Sequence, residues 1–160
     1  MQGLGLALTI LRPTAFMELM TDKKFSPAAA AWHMMPRLVG RSTQLPWLCT
    51  DDLGAIAAQA FADPDQFVGQ TLTLASDLRS LDECRVIYRE EIGKNPPHFP
   101  MPSWLFQRFG FVGQDLTTMW RWLGTHPLDV DTTTTHRVLP EVLTVRQWLG
   151  RQKASLLPKQ

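Results

Sequence analysis

A tyrosine followed four positions later by a lysine can act as a general acid, because the ammonium lowers the phenol's pKa. The sole tyrosine of this chain is Tyr88, and position 92 is Ile92, so that pair is absent. A G-x-G-x-x-G run between a strand and a helix cradles the pyrophosphate of a dinucleotide. The nearest approach, Gly3-Leu4-Gly5, precedes a strand instead of following one and has Leu8 where the third glycine belongs. There is no G-x-S-x-G elbow, and neither Cys49 nor Cys84 carries a signature of thiol activation. His33, His98, His126 and His136 never stand at the i, i+4 spacing of helical metal ligands, and the cysteines lie outside any CxxC spacing. Asp51 and Asp52 could form a carboxylate pair, but their place at a helix start makes capping the better account. No catalytic residue and no metal site is expected from these patterns.

Composition narrows the class further. With 160 residues, 44% of them hydrophobic and 19% charged, the chain can bury one ordinary globular core. Sixteen basic against fifteen acidic residues leave no field to draw in nucleic acid or an anionic membrane. No apolar run reaches the roughly 18–20 residues that span a bilayer, and Gly3–Leu11 lacks the flanks of a signal peptide. The expectation is a cytoplasmic protein.

The elements that would hold any site can be read along the chain. Leu6 to Leu11 is apolar with β-branched interruptions and reads as a buried strand, stopped at Pro13 and followed by a helical turn over Phe16–Thr21. Ser26–Pro36, an alanine run with Trp32, His33, Met34 and Met35, is too apolar for a free loop and should pack or line a pocket. Gln44–Cys49 reads as a short strand. Thr50 is expected to cap a helix whose apolar stripe is Leu53, Ile56, Ala57, Ala60 and Phe61, ending at Asp63-Pro64. Gln70–Leu74 alternates threonine and leucine as a second sheet strand. Ser80 and Glu83 form a capping box for a helix running toward Lys94, with Glu90 and Lys94 at i, i+4 and Gly93 as the stop. Pro102 should start a helix through Trp104, Leu105, Arg108 and Phe109. Gln114–Gly124 is a further helix, Asp129–His136 a threonine-rich loop, and Thr144 caps a final helix. Trp120 and Trp122 stand two apart on a helix, so only one can face the core.

Three segments resemble the NmrA-like proteins, an atypical short-chain dehydrogenase/reductase group of the NAD(P)-binding Rossmann superfamily. They are Ile10-Leu11-Arg12-Pro13-Thr14-Ala15-Phe16-Met17-Glu18, Pro46-Trp47-Leu48-Cys49-Thr50-Asp51-Asp52-Leu53-Gly54, and Pro140-Glu141-Val142-Leu143-Thr144-Val145. Their order and spacing match the C-terminal half of such a protein. The resemblance implies an α/β fold: the C-terminal part of a Rossmann-type parallel sheet, about two late strands, plus a small, mostly helical substrate or cap domain. Residues 1–160 would be that portion, with the glycine-rich N-terminal half absent.

In such a parent the main chain at Pro13, Thr14, Ala15 and Phe16 would flank the nicotinamide of NADP or NAD. Met17, Trp32 and Trp104 would shape a substrate or effector pocket. Many members carry asparagine after the F-M-E triplet, where this chain has Leu19, so a polar contact from that position is not carried over. The parent would be an NAD(P)H-dependent oxidoreductase acting on a small carbonyl or quinone. The alternative is a non-catalytic NAD(P)(H) sensor acting through protein partners. A truncated product doing neither is a third reading. For these residues alone no catalysis is expected. Uncovered apolar faces and edges of Leu6–Leu11 and Gln70–Leu74 should make the isolated chain self-associate or leave it partly molten.

Overall fold

The computed structural model describes residues 7–21, 28–98, 102, 108 and 110–156. Its strands are β1 (Ile10–Pro13), β2 (Ala15–Phe16), β3 (Leu45–Leu48), β4 (Thr71–Leu74) and β5 (Asp77–Arg79). The helices are α1 (Ala28–Leu38), α2 (Thr50–Ala62), α3 (Pro64–Phe67), α4 (Leu81–Ile92), α5 (Gly110–Thr125), α6 (Thr133–Val138) and α7 (Val145–Leu156), with a 3₁₀ turn at Met17–Met20. The chain is α/β, as expected.

Two small sheets share the work. β1 pairs in parallel with β4, Ile10 opposite Thr71 through Pro13 opposite Leu74. β2 pairs in parallel with β3, which pairs antiparallel with β5. The alternation of Thr71–Leu74 appears directly as burial, with Leu72 and Leu74 inside and both threonines outside. The expected first strand thus gains a parallel neighbour, and it runs later than its apolar run suggested, to Pro13; residues 1–6 lie outside the described residues. The proline is tolerated at the strand's end. Pro46 inside the central strand β3 has a different reason. Trp47 turns its carbonyl toward the Ser76 N–H (2.7 Å), so Pro46 faces the β2 side. There β2 pairs no residue before Trp47, and no donor is asked of the proline.

Alternate residues of β3 feed two cores. Trp47 packs with Met17, Trp32, Trp120 and Trp148, while Leu48 packs with Ile56, Phe67, Leu72 and Leu74. Within α5, Trp120 is fully buried and Trp122 is half-exposed, stacked on His126.

Several boundaries differ from the sequence reading. The alanine run is a helix, α1. β5 was not foreseen, because three residues offer no periodicity. The threonine-rich stretch contains α6, not a loop: the Asp131 carboxylate accepts the Thr133 N–H (2.9 Å), and fully buried Thr135 accepts the Ala75 N–H through its hydroxyl (2.9 Å). Lys94 does not pair with Glu90; its ammonium donates to the Leu156 carbonyl (2.8 Å), and Glu90 binds Arg146. The helix expected through Trp104 lies almost entirely outside the described residues.

The capping box at α4 is formed from both sides, and Gly93 ends the helix in the left-handed conformation (φ 78°). Bonds from the Ser80 N–H and from the Gln44 amide hold the Glu83 carboxyl below its ordinary value. A lowered folded-state pKa gives stability that is present above the unfolded value of about 4.3 and is lost as pH falls through the lowered one. Urea midpoints measured across the acid range should therefore fall less steeply in Glu83→Gln than in the wild type.

Candidate functional site

Both parallel strands leave the first sheet at the same place. β1 ends at Pro13 and the chain enters β2 at Ala15, so Thr14 alone makes the crossing. β4 ends at Leu74 and the chain enters β5 at Asp77, across Ala75 and Ser76. The Thr14 hydroxyl donates to the Leu74 carbonyl (3.0 Å) and locks the two crossings together. Ser76 donates its hydroxyl to the Leu143 carbonyl (2.7 Å). A His136 ring nitrogen lies 3.0 Å from the Ser76 carbonyl. In open α/β sheets, ligands bind beyond the carboxyl ends of parallel strands, where the chain changes direction. Pro13–Phe16 occupies such an end, with Pro13 exposed and Thr14, Ala15 and Phe16 half-buried.

The two tryptophans and the methionine assigned to a pocket fare differently. Met17 has no exposed surface, and Trp32 retains only 2%. Both are core residues of the described structure. Trp32 donates its indole N–H to the Met20 carbonyl (3.0 Å) and meets Tyr88 edge-on at 5.6 Å. Trp104 lies outside the described residues. Pro13–Phe16 thus lie together on one partly exposed segment, while Met17 and Trp32 belong to the core, Trp32 beside a small cavity that Met20, Met35 and Trp47 also line.

Just past that segment, Glu18 reaches a helix far along the chain. Its Oε1 accepts the Thr50 N–H (3.0 Å) and the Thr50 hydroxyl (2.8 Å). Thr50 is therefore not the cap. Cys49 is the N-cap residue of α2, in extended conformation and without a side-chain bond, because β3 runs into the helix within one residue. Glu18 supplies the acceptor that Cys49 lacks, at the positive end of the helix. Glu18→Ala should cost about 1 kcal/mol of stability, read as a lowered urea midpoint with unchanged slope. Its other oxygen, Oε2, is buried and has no hydrogen-bond partner among the described residues.

Both cysteines and the tyrosine are withdrawn from solvent. Burial pushes the Cys49 thiol up to about 12, and its contacts with the Asp52 and Glu18 carboxylates add to the rise. Burial likewise raises Cys84, with Asp77 and Glu83 adding to it. Tyr88 is 2% exposed and its phenol is raised by the same desolvation. Among the described residues no group of three His, Cys, Asp or Glu side chains is placed to hold a metal.

Sequence reasoning missed the carboxylates that tie the far end of the chain to this region. Buried Asp52 accepts the Leu143 N–H (2.8 Å), and buried Asp77 accepts the Val145 N–H (3.1 Å) at the start of α7. Asp52 gave a signal only as a first-turn acid; its neighbour Asp51, on the exposed side, is the one that fits that role. Thr144 does cap α7, accepting the Gln147 N–H (3.3 Å).

No protein-family model matches the chain. Solved structures do match it. A nucleoside-diphosphate-sugar epimerase from Staphylococcus aureus superposes with a TM-score of 0.67 at 15% identity, over 91% of this chain and 53% of that one. NmrA, a negative transcriptional regulator in complex with NADP, gives 0.60 at 15% identity, over 96% and 56%. A triphenylmethane reductase from Citrobacter sp. complexed with NADP(H) gives 0.64 at 12% identity, over 91% and 53%. At such identities the likeness is one of fold. The chain spans about half the length of these structures, and it has the fold of about half of an NmrA or of an epimerase or reductase of this build.

Proposed function

We propose that this chain is the substrate- and effector-side portion of an NmrA-like NAD(P)(H)-binding protein whose whole form reduces a small carbonyl or quinone. The observation that carries this reading is the double crossing at Thr14, at the carboxyl ends of the parallel strands β1 and β4. The half-length likeness to structures that hold NADP or NADP(H) supports it.

The residues present suit one end of a dinucleotide. Pro13 is exposed and Thr14, Ala15 and Phe16 are half-buried, and Glu18 Oε2, an acceptor without a partner among the described residues, lies two residues beyond. A carboxamide or ribose hydroxyl has the donor such an oxygen lacks. Bound there, the cofactor would supply hydride. The pyrophosphate end needs a glycine-rich loop, which this sequence does not carry.

For the same reason, and because Tyr88 is locked in the core without a lysine partner, these residues alone are inactive in this reading. The absent general acid is also the observation favouring the alternative, a non-catalytic sensor that binds NAD(P)(H) and acts through protein partners. NmrA's own description as a transcriptional regulator stands on that side. Phe61, 86% exposed on α2, is an apolar surface that the rest of the parent would cover. Self-association of the isolated chain, seen by light scattering, is the expected consequence.

Titration of the purified chain with NADPH, followed by nicotinamide fluorescence, tests the reading. No saturable binding up to millimolar cofactor is expected; tight binding would overturn the half-protein reading. Joined to a glycine-rich N-terminal half, the chain should bind, and failure there would overturn the NAD(P) assignment. Turnover of a quinone by the joined protein then separates enzyme from sensor.

A further inference from the structure

A second site, unrelated to the crossing at Thr14, lies between α4 and the segment Asn95–His98. A cavity of about 490 Å³ there is lined by Arg85, Arg89, Asn95 and His98, with Asp82 the carboxylate at its edge. Arg85 and Arg89 stand at i, i+4 on α4, and His33 and Arg37 at the same spacing on α1. The two arginine charges on α4 repel; those of Arg41 and Arg89 both bear on Arg85, against the opposing charge of the Asp82 carboxylate. Yet among the described residues none of Arg37, Arg41, Arg85 or Arg89 forms an ion pair with a carboxylate.

The positive groups are also held in place. Pro36 lies inside α1 and has no N–H, so the Trp32 carbonyl one turn earlier loses its helical donor. The Arg85 guanidinium takes that carbonyl instead, and sits over the Trp32 ring at 5.5 Å. One donor of its fork is used and the others are left for a ligand. His98 is fixed by His33, ring nitrogen to ring nitrogen at 3.0 Å with the rings edge to face. Burial first, then the charges of Arg37, His98 and Arg85, hold His33 toward its neutral form, which suits it to anchor His98 by a hydrogen bond.

We propose that this cavity binds the phosphoryl group of a small phosphorylated ligand, through Arg85, Arg89 and His98. Forked guanidinium groups recognise phosphate oxygens by paired charge-assisted bonds. The cavity has the volume of a small-molecule site. The near-neutral chain has no basic stripe that would continue along a nucleic acid.

The test is a titration of the purified chain with inorganic phosphate, following the imidazole resonances of the four histidines by NMR. His98 and His33 should shift saturably, while exposed His126 and distant His136 should not. Arg89→Gln removes an exposed side chain and leaves the core untouched; it should weaken binding about tenfold, the loss of one charge-assisted bond. Arg121→Gln, exposed on α5, should leave it unchanged. Phenyl phosphate should bind at least as tightly as inorganic phosphate, and benzoate more weakly. Absence of a saturable His98 shift at tens of millimolar phosphate would overturn the proposal. So would equal shifts at all four histidines, equal losses in both arginine variants, or a preference for benzoate.

Discussion

Trp47→Ala is expected to cost about 3–5 kcal/mol, a large share of the total stability of a domain, which is about 5–15 kcal/mol. Trp47 is 1% exposed in the central strand β3 and packs in the larger core. Its indole N–H donates to the Arg79 carbonyl (2.9 Å), which helps hold β5 against β3. Truncation removes the packed ring, leaves a cavity, and orphans that carbonyl. Urea unfolding followed by circular dichroism should show a collapsed midpoint or no transition. Trp122→Ala is the control. That ring is 50% exposed, and its loss should move stability by no more than about 0.5 kcal/mol. Similar effects from both substitutions would contradict the division of labour between these tryptophans.

Gly124→Ala should destabilise by about 2 kcal/mol, against the usual preference of helices for alanine. A Cβ at this position in α5 would lie 2.6 Å from the Leu38 carbonyl oxygen, 3.0 Å from that of Val39 and 3.2 Å from the Val39 Cα. All three are backbone atoms at the end of α1, so no side chain can swing aside. Overpacking of this kind costs up to about 3 kcal/mol, and the gain in helix propensity returns about 1 kcal/mol. Gly54 in α2 provides the opposite sign. A Cβ there meets nothing within 4 Å, so Gly54→Ala should stabilise by up to about 1 kcal/mol. Thermal midpoints of the two variants should move in opposite directions; a stabilised Gly124→Ala would mean that α1 and α5 are not in contact as described.

Signals confined to a few neighbouring residues were legible in the sequence. The Ser80–Glu83 box, the alternation of Thr71–Leu74, the stop at Gly93 and the opposed faces of Trp120 and Trp122 each follow from local spacing. What could not be read is what depends on distant partners. Thr50 looks like a cap until Glu18, 32 residues away, is found bonded to it. Asp52 looks like a surface acid until Leu143 is found against it. The threonines of α6 read as loop because their own propensity is weak, and buried Thr135 is fixed by a backbone donor from Ala75. At the candidate site, Pro13–Phe16 is proposed through family likeness and strand-end placement, not through side-chain chemistry, since a main-chain contribution would carry no side-chain signature. The basic cavity escaped notice because its members come from α4 and the segment after it, with His98 fixed by His33 of α1, each unremarkable alone.

The clasp of Asp52 and Asp77 on the segment before α7 also has a kinetic meaning. These bonds join residues 91 and 68 positions apart, so each closes only after a long loop has been drawn in. With that closure cost, the clasp is expected to form after the transition state for folding. Loosening the clasp should therefore leave the refolding rate almost unchanged and speed unfolding. During synthesis the earlier elements must wait, with part of their core open, until Leu143 and Val145 emerge. The persistence of the folded chain is in this sense set by residues made long after the elements they hold.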